Sequence, residues 1–226
     1  MAATAPIDGE RPNGPRSRKG ARTRARLVQA AKEIFEENGF LEARISDISE
    51  RAGLSHGSFY HYFDSKEEIF REVAVEIEDQ LSQAVDTVIL DGASTASPRE
   101  RLRVAIGQFL ESYREEAPIV GVIEQVSRYD DEMKAVRLAR QRHYNEEVAD
   151  SIRQLQEHGL ADATLDPAIT AWMLGAMTTR FAEMWLVQGY RDYDFDHAVD
   201  QLTRLWCNAL GLPDEPAPGR RRRARS

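Results

Sequence analysis

Residues 45–66 read ISDISERAGLSHGSFYHYFDSK. Ile45, Ile48 and Ala52 have the spacing of one inward helical face. Gly53 permits a tight turn, Leu54 packs between the flanking helices, and Ser55 caps a second helix. That helix opens on His56, Gly57 and Ser58, a small first turn suited to close approach to another surface. Two short helices at a steep angle, joined by a tight glycine turn, make a helix-turn-helix.

In such motifs the second helix enters the DNA major groove, and its N-terminal residues face base edges. His56 and Ser58 carry hydrogen-bonding groups for bases or phosphates. Tyr60 and Tyr62 offer rings to thymine methyls and sugars, and hydroxyls to phosphates. His61 is balanced between DNA contact and scaffold. Lys66, at the start of the next helix, adds a phosphate-neutralising charge beside the free amides of that helix. Phe59 and Phe63 are read as core. His56 and His61 stand five apart, which is not helical metal-ligand spacing, so no metal site is expected.

Outward from the motif, nearly everything is helix-periodic and no alternating strand is evident. A first helix is expected over Arg22–Asn38, with Leu27, Ala31, Ile34 and Phe35 on one face and Gly39 as its stop. Ser65 and Glu68 have capping-box spacing and start a long helix. DGASTASP, residues 91–98, reads as a loop. Ser97, Pro98 and Glu100 then start a further helix. Pro118 and Gly121 interrupt a short apolar piece around Ile119–Val126. Long helices are expected over Asp131–Glu157, Pro167–Gln188 and Phe195–Leu210. The fold class is all-α: an N-terminal three-helix helix-turn-helix domain, then a larger C-terminal helical effector and dimerisation domain.

Charge is unevenly spread. The chain has a net charge of −8 and a pI of about 5.3. Residues 11–66 nevertheless hold 11 bases and 7 acids, and residues 67–219 hold 14 bases and 29 acids. The tail from Arg220 to Ser226 adds five arginines. Basic arms on an acidic body suggest a polyanionic partner. No window is apolar enough for a transmembrane helix and the start lacks a signal core, so a cytoplasmic protein without a membrane partner is expected. The single Cys207 fits a reducing compartment and a buried role. Domain bounds follow: a disordered basic arm over 1–19, the DNA-binding domain over 20–66, a ligand-binding and dimerisation domain over 67–212, and a disordered Arg-rich tail over 213–226.

About 45 residues in order resemble the DNA-binding signature of the TetR/AcrR family of bacterial regulators. Phe35, Gly39 and Phe40 match in the first helix and its exit. Asp47, Ile48, Ala52, Gly53, Leu54 and Ser55 match the first half of the motif. Gly57, Ser58, Phe59, Tyr60, Tyr62, Phe63, Ser65 and Lys66 match the second. The resemblance implies an N-terminal DNA-binding domain, a helical effector domain and a homodimer. Two positions depart from the pattern. Arg44 stands where the family usually has a capping Thr or Ser, and is read as a phosphate contact instead; Ser49 replaces the usual alanine. Arg22 and Arg24, in the segment that the resemblance places beside the operator, are added as DNA contacts.

The C-terminal domain carries no signature of its own. Ile169, Met173, Met177 and Met184 lie on one side of its penultimate helix, with Trp172, Gly175, Ala176, Ala182 and Leu186 toward another; a helix apolar on two sides is sandwiched. With the last helix it would supply half of a four-helix dimer interface, as the resemblance implies. Candidate ligand-lining residues are Phe109, Tyr113, Tyr144, Trp172, Met177, Arg180, Phe181 and Trp185, for a small hydrophobic effector. Arg180 either binds an anionic group or pairs with Glu183 or a partner acid. Arg137, Arg140 and Arg142 are read as a solvated face. No nucleophile elbow, phosphate loop, HExxH or CxxC is present, so an enzyme is not expected, and no cofactor is implied. The function expected is a ligand-responsive transcriptional regulator, a repressor binding a palindromic double-stranded DNA operator as a homodimer. The alternative is an architectural DNA-binding protein without an effector.

Overall fold

The computed structural model of the 226-residue chain describes residues 18–86 and 96–213, and for 82–86 the backbone only. Among these residues there are nine α-helices and no strand. Most of the expected N-terminal arm, the 87–95 segment and the Arg-rich tail lie outside the described residues. The helices fall into two compact units, residues 1–73 and 74–226.

In the first unit, α1 spans Arg18–Glu42, α2 Ile45–Arg51 and α3 His56–Phe59. Helix α1 begins four residues before the expected Arg22 and takes in Arg18 and Lys19 of the expected arm. Gly39 kinks it at φ 70°, and helix resumes through Glu42. Leu27, Ala31, Ile34 and Phe35 are buried, as their spacing requires. Phe35, Phe40 and Phe70 form an aromatic cluster with centroids 4.8–5.8 Å apart. Buried Phe59, Phe63 and Ile69 complete the core.

Helix α4 spans Lys66–Asp86, and the division between units falls within it, after Val73. Its start is capped by Ser65 Oγ, which accepts the Glu68 N–H at 3.1 Å. The Glu68 carboxylate accepts from the Asp64 N–H rather than from Ser65, one residue off the expected box.

In the second unit, α5 spans Pro98–Glu115, α6 Ala117–Val126, α7 Asp131–Glu157, α8 Pro167–Ala182 and α9 Phe195–Leu210. Helix α5 begins with the full capping box of Ser97 and Glu100. Gly121 does not interrupt the apolar piece; it lies within α6, and Pro118 sits in that helix's first turn, where a missing N–H costs nothing. Helix α8 does not run evenly to Gln188. It passes into a π-helical turn over Glu183–Val187.

Helices α7 and α8 pack side by side, as do α5 and α9. Gly175 sets the first contact: a Cβ there would stand 3.0 Å from Asn145 Oδ1. Its role is thus close approach within the unit. Gly175 and Ala182 are buried, while Trp172 and Met173 share the exposed side of α8. Trp206 Nε1 on α9 donates to the buried Thr178 Oγ1 of α8 at 2.9 Å, joining those two helices. Cys207 is buried, as expected.

Candidate nucleic-acid interface and ligand cavity

The turn between α2 and α3 is built by Gly53, at φ 64°, a left-handed conformation that other residues adopt only at a cost. Arg26 Nη2 of α1 donates to the Ala52 carbonyl beside it, closing the free end of α2. Arg51 holds the same helix to α1 through Glu33 at 3.1 Å and Glu37 at 2.8 Å. Its guanidinium keeps the Glu37 carboxylate below its ordinary pKa, and hydrogen bonds from Gln29 and Arg51 do the same for Glu33.

Ser55 caps α3 as expected: its Oγ accepts the Ser58 N–H at 3.3 Å and lies 2.7 Å from Ser58 Oγ. Helix α3 is short and ends at Phe59. The N–H groups of His61 and Tyr62 bond to carbonyls three residues back, which tightens the chain into turns after Phe59. Phe59 and Phe63 point inward, and His56, Gly57, Tyr60 and His61 are exposed. His56 meets Tyr60 edge-on at 5.4 Å. Outside its chain neighbours and its own helix backbone, nothing lies within 4 Å of where a Gly57 Cβ would stand. Ser58 and Tyr62 are half-buried.

The expected basic contacts divide into two kinds. Arg22 and Arg44 are exposed. Arg44 is the residue before α2, in extended conformation, and makes no side-chain cap. Arg24 and Lys66 turn inward. Arg24 pairs with Glu72 and lies 4.2 Å from the Phe63 ring centre. Lys66 Nζ donates to the carbonyls of Phe40, Leu41 and Ala43 at 2.7, 3.2 and 3.0 Å. Lys66, expected as a phosphate contact, is thus engaged by the chain's own carbonyls. The ammonium's three protons are matched by three carbonyls at the end of α1. Among the described residues, no group of three or more His, Cys, Asp or Glu side chains is placed to hold a metal ion.

The second unit contains a small cavity of about 50 Å³, partly open to solvent. Phe109, Tyr113 and Tyr144 line it, together with Glu78, Arg137 and Arg140. Five other expected residues are not in its lining. Trp172 lies on the exposed side of α8, and Met177 is half-buried. Arg180 is exposed and pairs with Glu183 at 2.7 Å, the expected alternative to ligand binding. Phe181 and Trp185 meet Tyr193 at tilted and edge-on angles in a separate aromatic cluster.

Arg137 and Arg140 are not a solvated face. Arg137 Nε donates to Glu78 at 3.1 Å, and its Nη2 meets Glu124 at 2.5 Å. Arg140 pairs with Asp79 at 2.7 Å. Burial pushes the Glu78 carboxyl pKa up, against the pull of Arg137. Burial, reinforced by the nearby Glu124 and Glu183 carboxylates, pushes the Tyr113 hydroxyl up as well. The sequence signal for this pair was the three-residue spacing that puts Arg137 and Arg140 on one helical face.

A solvent-facing second helix on a buried aromatic core defines a helix-turn-helix DNA-binding regulator joined to a helical domain. Residues 27–73 match the model of bacterial regulatory proteins, tetR family. Residues 95–189 match the tetracyclin repressor-like C-terminal domain. The chain belongs to the TetR family of transcriptional regulators, which are not enzymes. It is 27% identical over 178 residues to the HTH-type regulator YdgC of Bacillus subtilis, covering 77% of this chain and 86% of that one. It is 23% identical over 201 residues to the regulator EthR of Mycolicibacterium smegmatis, covering 87% and 92%. Among solved structures, a TetR-family regulator from Mesorhizobium loti superposes with a TM-score of 0.75 at 18% identity, over 87% of this chain and all of that one. The transcriptional regulator FadR of Bacillus subtilis, solved in complex with stearoyl-CoA, does so with a TM-score of 0.68 at 20% identity, over 82% and 98%. No helix among the described residues is long and apolar enough to cross a membrane.

Proposed function

We propose that the protein is a repressor that binds a palindromic DNA operator as a homodimer and is released by a small effector bound in the second unit. The observation that carries this reading is the exposed face of His56, Gly57, Tyr60 and His61, fixed from behind by Phe59 and Phe63. Tyr60 reads bases or sugars from this face, and open space at Gly57 lets the backbone approach the groove edge. Arg22 and Arg44 neutralise phosphates, while Arg24 and Lys66 position the motif.

The match to a tetracyclin repressor-like C-terminal domain supports an effector-responsive regulator over an architectural protein. Effector binding moves α4, the element continuous with both units, and changes the spacing of the two recognition helices. Half-sites roughly one helical turn apart, about 34 Å, set the tolerance for that movement.

The test is fluorescence anisotropy of the purified protein on DNA flanking its own gene. Binding is expected to be sequence-selective and to weaken steeply with salt. Tyr60→Ala is expected to weaken it at least tenfold at unchanged melting temperature. Absence of selective binding sinks the reading, and unfolding of Tyr60→Ala would return Tyr60 to the core.

A further inference from the structure

The recognition motif is tied to α1 on both sides of α3. Before α3, Arg51 at the end of α2 meets two carboxylates of α1. Its terminal nitrogens donate to Glu37 as a fork, at 3.0 and 2.8 Å, and Nη1 also donates to Glu33 at 3.1 Å. Gln29, one turn earlier, holds the other Glu33 oxygen at 3.1 Å, so Gln29, Glu33 and Glu37 form one stripe along α1. Arg26 of the same helix reaches the Ala52 carbonyl and occupies the space beside Gly53, where a Cβ would stand 3.1 Å from its Nη2. After α3, Lys66 holds the carbonyls at the end of α1.

These ties matter because α2 has little hold of its own. It is seven residues long and begins without a side-chain cap, and a helix that short depends on its packing. Its exit is stiff. The Gly53 N–H bonds to the Glu50 carbonyl and the Leu54 N–H to that of Ser49, both at 2.9 Å, a Schellman turn leading directly into Ser55 and α3. A tilt of α2 against α1 is therefore passed to the exposed face of His56, Gly57 and Tyr60.

We propose that Arg51, with Glu33 and Glu37, is a positioning network for operator selectivity, one that orients the recognition face and neutralises no phosphate. The proposal rests on the DNA-binding regulator reading. Three of the five guanidinium N–H donors of Arg51 are already spent on α1. Without the network the motif populates tilted orientations, and apparent operator affinity falls with the fraction that stays aligned. Binding to unrelated DNA, which depends on phosphate charge and not on base contacts, does not fall with it.

The experiment is fluorescence anisotropy of the full chain, over a salt series, on a duplex from DNA flanking its own gene and on a duplex of the same composition in shuffled order. Arg51→Gln, and Glu33→Gln with Glu37→Gln, are each expected to lower the preference for the first duplex by about three- to tenfold. All three changes together should lower it no further, because they break one network. The two variants alter charge in opposite directions, which separates positioning from phosphate contact. The salt slope of Arg51→Gln should match the parent's, whereas a lost phosphate contact lowers it by about one. Arg51→Lys, a point charge in place of a fork, should keep only part of the preference. Circular dichroism and melting temperature are followed in parallel, and Glu37→Gln alone, which removes the fork and leaves the Glu33 contact, replaces any variant that does not fold.

A preference unchanged in either variant, operator affinities that move in opposite directions, a salt slope lowered in Arg51→Gln, or full rescue by lysine overturns the inference. A selective parent with indifferent variants refutes the positioning network alone. A parent without selective binding refutes the regulator reading, and this inference with it.

Discussion

At Lys66 one ammonium faces three carbonyls, and the same group carries a cation over the Phe40 ring at 4.7 Å. A lysine beside a DNA-binding motif reads from sequence as a phosphate contact. The carbonyl ends of α1 compete for it, because helix termini leave such oxygens without intrahelical partners. Lys66→Met is therefore expected to destabilise the first unit by about 1–3 kcal/mol, seen as a fall of several degrees in melting temperature. The salt slope of operator binding should stay unchanged, as expected of a lysine engaged by the chain's own carbonyls. A slope that falls by about one unit with no loss of stability would restore the phosphate role. Arg24 obeys the same logic through Glu72 and Phe63.

Helix α2 begins without a side-chain cap, with Arg44 where a hydroxyl would close the first turn. Arg44→Ser is expected to act in opposite directions on stability and function. It should stabilise the protein by about 1 kcal/mol, and weaken operator binding while lowering the salt slope by about one. Loss of stability, or DNA affinity equal to the parent's, would remove Arg44 from the interface. Elements like this one were legible in the sequence because their signals are local: Ser97 with Glu100, Gly53 in its turn, and the inward periodicity of Leu27 to Phe35 all act within a few residues. The cavity was only partly legible. Phe109, Tyr113 and Tyr144 stood out as aromatic, but Arg137 meets Glu78 across 59 residues of chain. No spacing rule pairs residues that tertiary packing alone brings together. The π-turn at Glu183–Val187 was invisible for a similar reason, since no local breaker separates it from α8.

For the whole molecule, the charge split acquires a geometry. Of the 11 bases in residues 11–66, Arg24, Arg26, Lys32, Arg51 and Lys66 serve the unit's own carbonyls and carboxylates. The outward cations are thus fewer than the count implies, and the acidic second unit adds none in excess. Long-range attraction to DNA then depends on bringing two copies of the exposed motif to one operator. We propose that a dimer supplies that, and that α8 and α9 carry its surface. Ile169, Trp172 and Met173 lie on one face of α8 at 60, 46 and 67% exposure, and Leu205 of α9 is 51% exposed. These are large apolar side chains at helical spacing, on two helices held together by the Trp206–Thr178 hydrogen bond. A stable interface needs about 1,600 Å² in total, with an apolar centre. Replacing Trp172 and Met173 together by Asp places two charges there, whose desolvation is unfavourable. Sedimentation velocity is expected to shift from dimer to monomer, with the helical circular dichroism retained because neither side chain belongs to the monomer core. Operator affinity should fall at least a hundredfold, to that of a single half-site contact. A dimer that survives both charges would place the interface on another face of the second unit.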